Sequence, residues 1–392
     1  MLIMEKLFYQ DTHIIDFEAI VTDCTPEPDG RCRITLDKTA FFPEEGGQGA
    51  DKGTLEGLEV LDVQIKNDII YHYLPKPLET GSTVQGHVDW AQRFDYMQQH
   101  SGEHIVSGLV HARFGYDNVG FHLGKEEVTL DFNGSLTQEQ MGEIELAANH
   151  AIWQNLPINV FFPPKKVLNT MEYRSKIELT GDVRIVEIPG IDTCACCAPH
   201  VETTGQIGIL KVTGLQSHRG GVRVNILCGE RALREFSMHQ HSVAAISALL
   251  SAKQDAVAEA VVRLKDEALR LKERANELQA DLLSMQTALL PSPDEQDNVV
   301  LFTGELDNIA LRNTVNSLCE KYKGYCCVFS GNDIEGYRFI IGSCSLDCRK
   351  AAALLREQLG AKGGGTAPMV QGSVKASQKS LYCALKALFN FS

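Results

Sequence analysis

No apolar run in this chain of 392 residues is long enough to cross a bilayer. The opening stretch MLIMEKLFYQDTHIIDF also lacks the apolar core of an export signal, so the expected location is the cytoplasm. Positive charge is scarce as well. Lys and Arg number 37 against 51 Asp and Glu, and the net charge of −14 disfavours a general nucleic-acid binder, because a uniformly acidic surface repels phosphates. The exception is local, since the segment from Arg349 to Ser392 carries an excess of six positive charges. Without an export signal, the twelve cysteines are not expected to form disulfides. In a reducing compartment such thiols stay free, bind metal or do chemistry.

Glycine and proline are both missing from Glu230 to Leu290. There Val257, Val261, Leu264, Ala268, Leu271, Ala275, Leu278, Leu282 and Met285 alternate spacings of four and three. That is a heptad seam, and it predicts a coiled-coil helix over 236–290 that joins two copies as a homodimer. The competing reading is a long helix lying on its own domain. PSPDEQD, Pro291 to Asp297, ends the helix.

Residues 1–90 read as short strands between turns, in CRITLD, DVQIKNDIIYHYL and STVQGHVDW, and predict a small β-barrel or sandwich. Residues 91–235 mix periods, with helices over Ala91–Phe114 and Thr137–Asn155 and a strand at Val183–Ile188. Residues 291–392 predict an α/β unit with strands NVVLFTG, CCVFSG and YRFIIGS and helices at Asn308–Tyr322 and Cys348–Leu359. That unit ends in the glycine-rich GAKGGGTAPMVQGS. The expected class is α+β.

Two pairs of residues carry metal chemistry. His100 and His104 in HSGEH stand four apart, so on a helix both imidazoles leave one face. The segment CACCAPHV holds Cys194, Cys196, Cys197 and His200. One thiolate and three imidazoles make a tetrahedral zinc set, although spacing alone does not choose among the cysteines. The zinc-protease pattern His-Glu-x-x-His does not fit, because Glu103 precedes the second histidine instead of following the first. Upstream, TAFFPEEGGQG places Gly46-Gly47 before Gln48, which suits either a hairpin turn or a close backbone approach to a ligand.

Three elements in this order, Thr39 to Gln48, then His100 and His104, then Cys196 with His200-Val201, resemble the editing domain of alanyl-tRNA synthetases and the freestanding AlaX-type editing proteins. The stretch Thr203 to Leu233, with Gly205, Gly208, Gly221 and Arg223, is similar to the segment that follows the ligands in that family. The long helix and the glycine-rich end resemble the C-terminal region of the same synthetases. The strands expected for the first domain begin at the first residues, so the expected form is the long freestanding one, without an aminoacylation domain ahead of it. One departure concerns the ligand loop, where the usual C-G-G-T-H is Cys196-Cys-Ala-Pro-His200. A milder one is Ala361, which stands where a glycine is usual.

The resemblance implies an α/β zinc-containing editing core that hydrolyses the ester joining a wrong amino acid to tRNA(Ala), with serine the first candidate and glycine the second. A synthetase pocket discriminates poorly among small amino acids, so a second site must remove the errors. His100, His104, Cys196 and His200 would hold the zinc. Thr39 would contact the serine hydroxyl, or else merely fill a strand. Gln48 would hold substrate or water. Glu103 would serve as a base, or else be a solvated helix carboxylate. Lys362, Gly363, Gly364, Gly365, Lys375 and Lys379 would dock tRNA, the lysines meeting phosphates and the glycines letting backbone approach RNA. A catalytically inactive tRNA-binding module with a structural zinc is the alternative. A threonyl-type editing domain would share the metal motif but leave the glycine-rich end unexplained.

Overall fold

A computed structural model describes residues 4–175 and 183–389. The chain divides into two compact units, Met1–Leu249 and Leu250–Ser392.

The first unit opens with a seven-stranded sheet. Its strands run in the order Leu58–Glu59, Gly53–Leu55, Thr83–Val88, Asp16–Pro26, Cys32–Leu36, Ile69–Leu74 and Asp62–Lys66. The expected barrel is not closed among the described residues. Its outermost strands do not pair, and one of them, Leu58–Glu59, is too short to carry a closing ladder. The segment Asp62–Leu74 is a hairpin whose turn places Asn67 and Asp68 at φ 51 and 65°, the left-handed pair that a two-residue turn requires. Phe8, Phe41, Phe42, Ile34 and Leu74 form the core.

Helix α1, Trp90–Phe114, follows directly. Asp89 caps its start by accepting from the Gln92 amide, and Gly115 at φ 70° ends it. Ser101-Gly102 does not break the helix. A Cβ at Gly102 would overlap Cys228 Sγ, so the glycine lets α1 lie against the Gly221–Cys228 strand. That strand belongs to an antiparallel sheet ordered Asn118–Leu123, Val128–Phe132, Gly221–Cys228, Leu210–His218. Helix α2, Gln138–Trp153, starts from a capping box between Thr137 and Gln140. The antiparallel sheet Asn159–Phe161, Ile185–Ile188, Asp192–Ala195 and the short helix α3, Lys165–Leu168, complete the site's surroundings. A buried ion pair joins the halves of this unit. Arg93 of α1 donates through Nε to Asp51 Oδ1 at 2.9 Å and through Nη2 to the Ala40 carbonyl at 2.6 Å. Asp51 Oδ2 in turn accepts from the Phe42 amide at 2.6 Å. The segment carrying Thr39 to Asp51 is thereby pinned to α1.

The helix expected over 236–290 is two helices. Helix α4, Gly229–Leu250, stops where Ser251 turns left-handed at φ 49°. Helix α5, Val257–Ala288, begins after a 3-10 turn at Gln254–Ala256. A single left-handed serine interrupts the helix without any glycine or proline, so composition could not show the break. The seam lies on α5 with Leu264, Leu271, Leu278 and Leu282 each more than half exposed. The single chain gives the expected homodimer no support.

The second unit also holds a five-stranded sheet ordered Val299–Thr303, Cys326–Asn332, Gly336–Gly342, Met369–Val374, Lys362–Thr366. Helix α6, Asn308–Lys321, packs on it around Leu311, Val315, Leu318, Val328 and Ile340, and helices α7, Cys348–Leu359, and α8, Gln378–Phe389, pack around Phe329, Phe339, Leu355, Leu381 and Leu385. The glycine-rich run is not a loop. Gly363, Gly364 and Gly365 form most of the exposed edge strand Lys362–Thr366, paired only with Met369–Val374. A Cβ at Gly363 or Gly365 would collide with that partner's backbone, which is why glycine fits at those two positions. All twelve cysteines are free. No helix among the described residues is long and apolar enough to cross a membrane.

Candidate metal centre

The two ligand segments meet in the first unit. His100 and His104 project from α1 toward the loop that follows the Asp192–Ala195 strand, where Cys196 and His200 stand. One donor atom from each of the four lies within 4.8 Å of the others, so this group could hold a metal ion. Cys196 Sγ is 3.5 Å from His100 Nε2 and 3.4 Å from His200 Nε2. The three rings lie 4.7 to 5.6 Å apart between centroids and are 2 to 3% exposed.

The outward nitrogens explain the arrangement. His100 Nδ1 donates to Gln48 Oε1 at 2.8 Å, His104 Nδ1 to Asp192 Oδ2 at 2.9 Å, and His200 Nδ1 to Ser101 Oγ at 3.0 Å. With each Nδ1 engaged, every Nε2 turns inward as a donor to an ion. Ser101 also accepts from the Val201 amide at 3.3 Å, which holds the loop beside His200. Arg184 Nη1 donates to the Cys196 and Ala198 carbonyls at 2.9 and 2.8 Å and fixes the rest of that loop.

Electrostatics prepare the same set. Burial pushes the Cys196 thiol up, but the three surrounding imidazoles, His100 foremost, outweigh it and hold the thiol well below its ordinary value. The surroundings of Cys196 thus favour the thiolate form over the thiol. Burial lowers His200 to about 3, so its imidazole is neutral. Burial also lowers His104, yet Asp192 and Cys196 raise it well above normal. A divalent cation would take the place of the proton held there. Cys194 is pushed up to about 11 by burial, and burial raises Cys197 as well, so both remain thiols. A second group, His104 with Asp192 and Cys194, also comes within ligand distance. The four-donor set is the better one, because both Asp192 oxygens are already engaged.

Gln48 reaches the site by a tight turn. Gly46 and Gly47 have φ 63 and 83°, and Glu45 and Gln48 exchange backbone hydrogen bonds of 3.1 Å across them. A Cβ on Gly47 would lie 2.6 Å from the Phe121 carbonyl. The Gln48 oxygen is used by His100, while its Nε2 is buried and has no partner.

Glu103 is not a solvated carboxylate. It is 1% exposed, covered by the Asn118–Leu123 strand, with Oε1 accepting from Ser107 Oγ at 2.7 Å and Asn118 Nδ2 at 2.6 Å. Its Oε2 lies 3.8 Å from His104 Nε2, at the inner side of the donor set. Thr39 is fully buried. His72 Nδ1 donates to the Ile34 carbonyl, so its Nε2 accepts from the Thr39 hydroxyl at 2.8 Å. The Phe41 amide donates to Thr39 Oγ1 at 3.1 Å. The hydroxyl proton is committed, and one lone pair remains.

Residues 183–225 match a family model described as "Threonyl and Alanyl tRNA synthetase second additional domain". Over 98% of this chain and 97% of the relative, there is 27% identity with the alanyl-tRNA editing protein Aarsd1 of Rattus norvegicus. With the alanyl-tRNA editing protein AlaX-L of Pyrococcus horikoshii, identity is 25% over 97% of this chain and 96% of that one. The chain is similar throughout to alanyl-tRNA editing proteins. It is also 31% identical to the alanine–tRNA ligase of Ignicoccus hospitalis, across 71% of this chain and 32% of the ligase.

The similarity to these editing proteins extends past the metal centre into the second unit. There Lys362, Lys375 and Lys379 are exposed, and the first two line one cleft with Arg338, a cation that spacing alone did not single out. Sequence reasoning also missed Asp192, Ser101, Arg184 and Asn118. Asp192 lies four residues before Cys196, but no periodicity distinguishes it from a surface strand residue.

Proposed function

We propose that this protein is a trans-editing hydrolase that removes a wrong amino acid, serine first and glycine second, from tRNA(Ala). The observation that carries the reading is the inward-turned set of three imidazoles and one cysteine sulfur beside a buried, unpartnered Gln48 amide nitrogen. Zinc suits the donors. Bonds of about 2.0 Å to nitrogen and about 2.3 Å to sulfur in a tetrahedron imply a nitrogen–sulfur separation of about 3.5 Å. The separations from Cys196, 3.4 and 3.5 Å, agree. When bound, zinc would supply Lewis acidity toward a carbonyl or water oxygen.

The chain's own groups divide the remaining work. The Gln48 Nε2 donates to the ester carbonyl oxygen, where negative charge develops as the ester is attacked. Glu103, 3.8 Å from His104 Nε2, takes the proton of the attacking water. Thr39 offers its remaining lone pair to the hydroxyl of a serine substrate, a contact alanine cannot make. Lys362, Lys375 and Lys379, with the Gly363 to Gly365 edge strand, meet the tRNA backbone.

The experiment is deacylation of Ser-, Gly- and Ala-charged tRNA(Ala) by the purified protein, with His100→Ala and Cys196→Ala as controls. Hydrolysis of the first two and loss in both variants is the expected result. The four protein donors favour a second reading, because hydrolytic zinc ordinarily keeps a position open. In that reading the ion is structural and the chain binds tRNA without turnover, and the same assay would show binding with no hydrolysis.

A further inference from the structure

The three histidines of the metal centre are not held alike. His100 and His200 rest on neutral oxygens, an amide and a hydroxyl, whereas His104 rests on a carboxylate. That carboxylate is itself clamped. Arg174 Nε donates to Asp192 Oδ1 at 2.7 Å, and Nη2 donates to Oδ2 at 2.8 Å. Arg174 is laced to the same strand by its backbone, its amide donating to the Thr193 carbonyl and its carbonyl accepting from Ala195, each at 2.9 Å. The side chain of Asp192 is 1% exposed.

We propose that Asp192, gripped by Arg174, is a positioning residue that fixes the ring of His104 and selects which donors surround the ion. The inference rests on the metal reading above and goes beyond it. A carboxylate on Nδ1–H locks one tautomer and one ring orientation and makes Nε2 a better donor. The guanidinium adds a second effect. Asp192, His104 and Cys194 lie close enough to form a rival site. A bidentate arginine occupies both carboxylate oxygens and prevents Asp192 from turning into a ligand. The clamp therefore favours Cys196 over Cys194, a choice that the bare spacing of the cysteines leaves open.

The test compares the parent with Asp192→Ala, Asp192→Asn and Arg174→Met. Zinc affinity is measured by chelator competition, coordination by the absorption of the cobalt(II)-substituted protein, and folding by melting of the metal-free form. Removing such an outer partner lowers metal affinity about 10- to 100-fold. Asp192→Ala should show that loss. Asp192→Asn, which keeps an acceptor oxygen, should recover most of it and also serves if the alanine variant does not fold. Arg174→Met should keep the ion but change the cobalt spectrum. Unchanged affinity in Asp192→Ala would overturn the assignment, as would an asparagine variant that binds no better than the alanine one. A parent protein that binds no zinc would remove the metal reading itself, and this inference with it.

Discussion

Gln48 gives the most direct test of the site, because its two ends do different things. Its oxygen holds His100 at 2.8 Å, and its Nε2 is buried without a partner. For the resting protein, Gln48→Ala loses one hydrogen bond, about 0.5–1.5 kcal/mol, but also relieves a buried unsatisfied donor that costs about 1–3 kcal/mol. These offset, so thermal stability should change little. For the reaction, one lost donor to a developing oxyanion costs about 10²- to 10³-fold in rate, or about 2.7–4 kcal/mol. Gln48→Glu separates the two ends, since it still accepts from His100 Nδ1 but can no longer donate. The assay is single-turnover deacylation of Ser-tRNA(Ala), with metal content measured on the same samples. The expected result is slow hydrolysis in both variants, with metal retained most fully in Gln48→Glu. If Gln48→Ala hydrolyses within twofold of the parent rate at full metal occupancy, the amide contacts nothing that matters and the mechanism is wrong.

Glu103→Gln should reduce single-turnover deacylation about 10²- to 10⁴-fold, the usual contribution of a general base, while metal content is unchanged. Asp51→Ala leaves the Arg93 guanidinium buried and unpaired, and should destabilise the first unit by about 3–5 kcal/mol in denaturant titration. His72 is buried and its pKa lowered to about 4 by burial, against an ordinary 6.5. The unfolded chain therefore takes up a proton that the folded one refuses. Stability held above pH 6.5 should fall by roughly 3 kcal/mol as pH drops to about 4. Replacing His72 with Gln should flatten that slope in melting curves taken across the window. Changing Lys362 and Lys375 together to Ala should weaken tRNA binding and reduce the salt dependence of log K by somewhat under two units.

Much of this molecule could be read from neighbouring residues. The hairpin at Asp62–Leu74, the capped start of α2 at Thr137, and α6 and α7 all follow from turn chemistry and periodicity over a few residues. Those forces act locally, and the sequence states them locally. The ligand types were legible for the same reason, because His100 and His104 share a helix face and Cys196 and His200 share one loop.

What tertiary structure decided depends on segments far apart in the chain. Glu103 could be read as a surface carboxylate until the strand with Asn118 folded over it. Of three neighbouring cysteines, Cys196 is the one pushed toward the thiolate, because three imidazoles converge on it, while Cys194 and Cys197 are raised by burial. The break at Ser251 and the edge-strand form of Gly363 to Gly365 likewise leave no mark in composition. Helical and turn preferences are properties of adjacent residues. Charge, burial and coordination belong to whatever the fold brings alongside, and a linear order does not contain that distance.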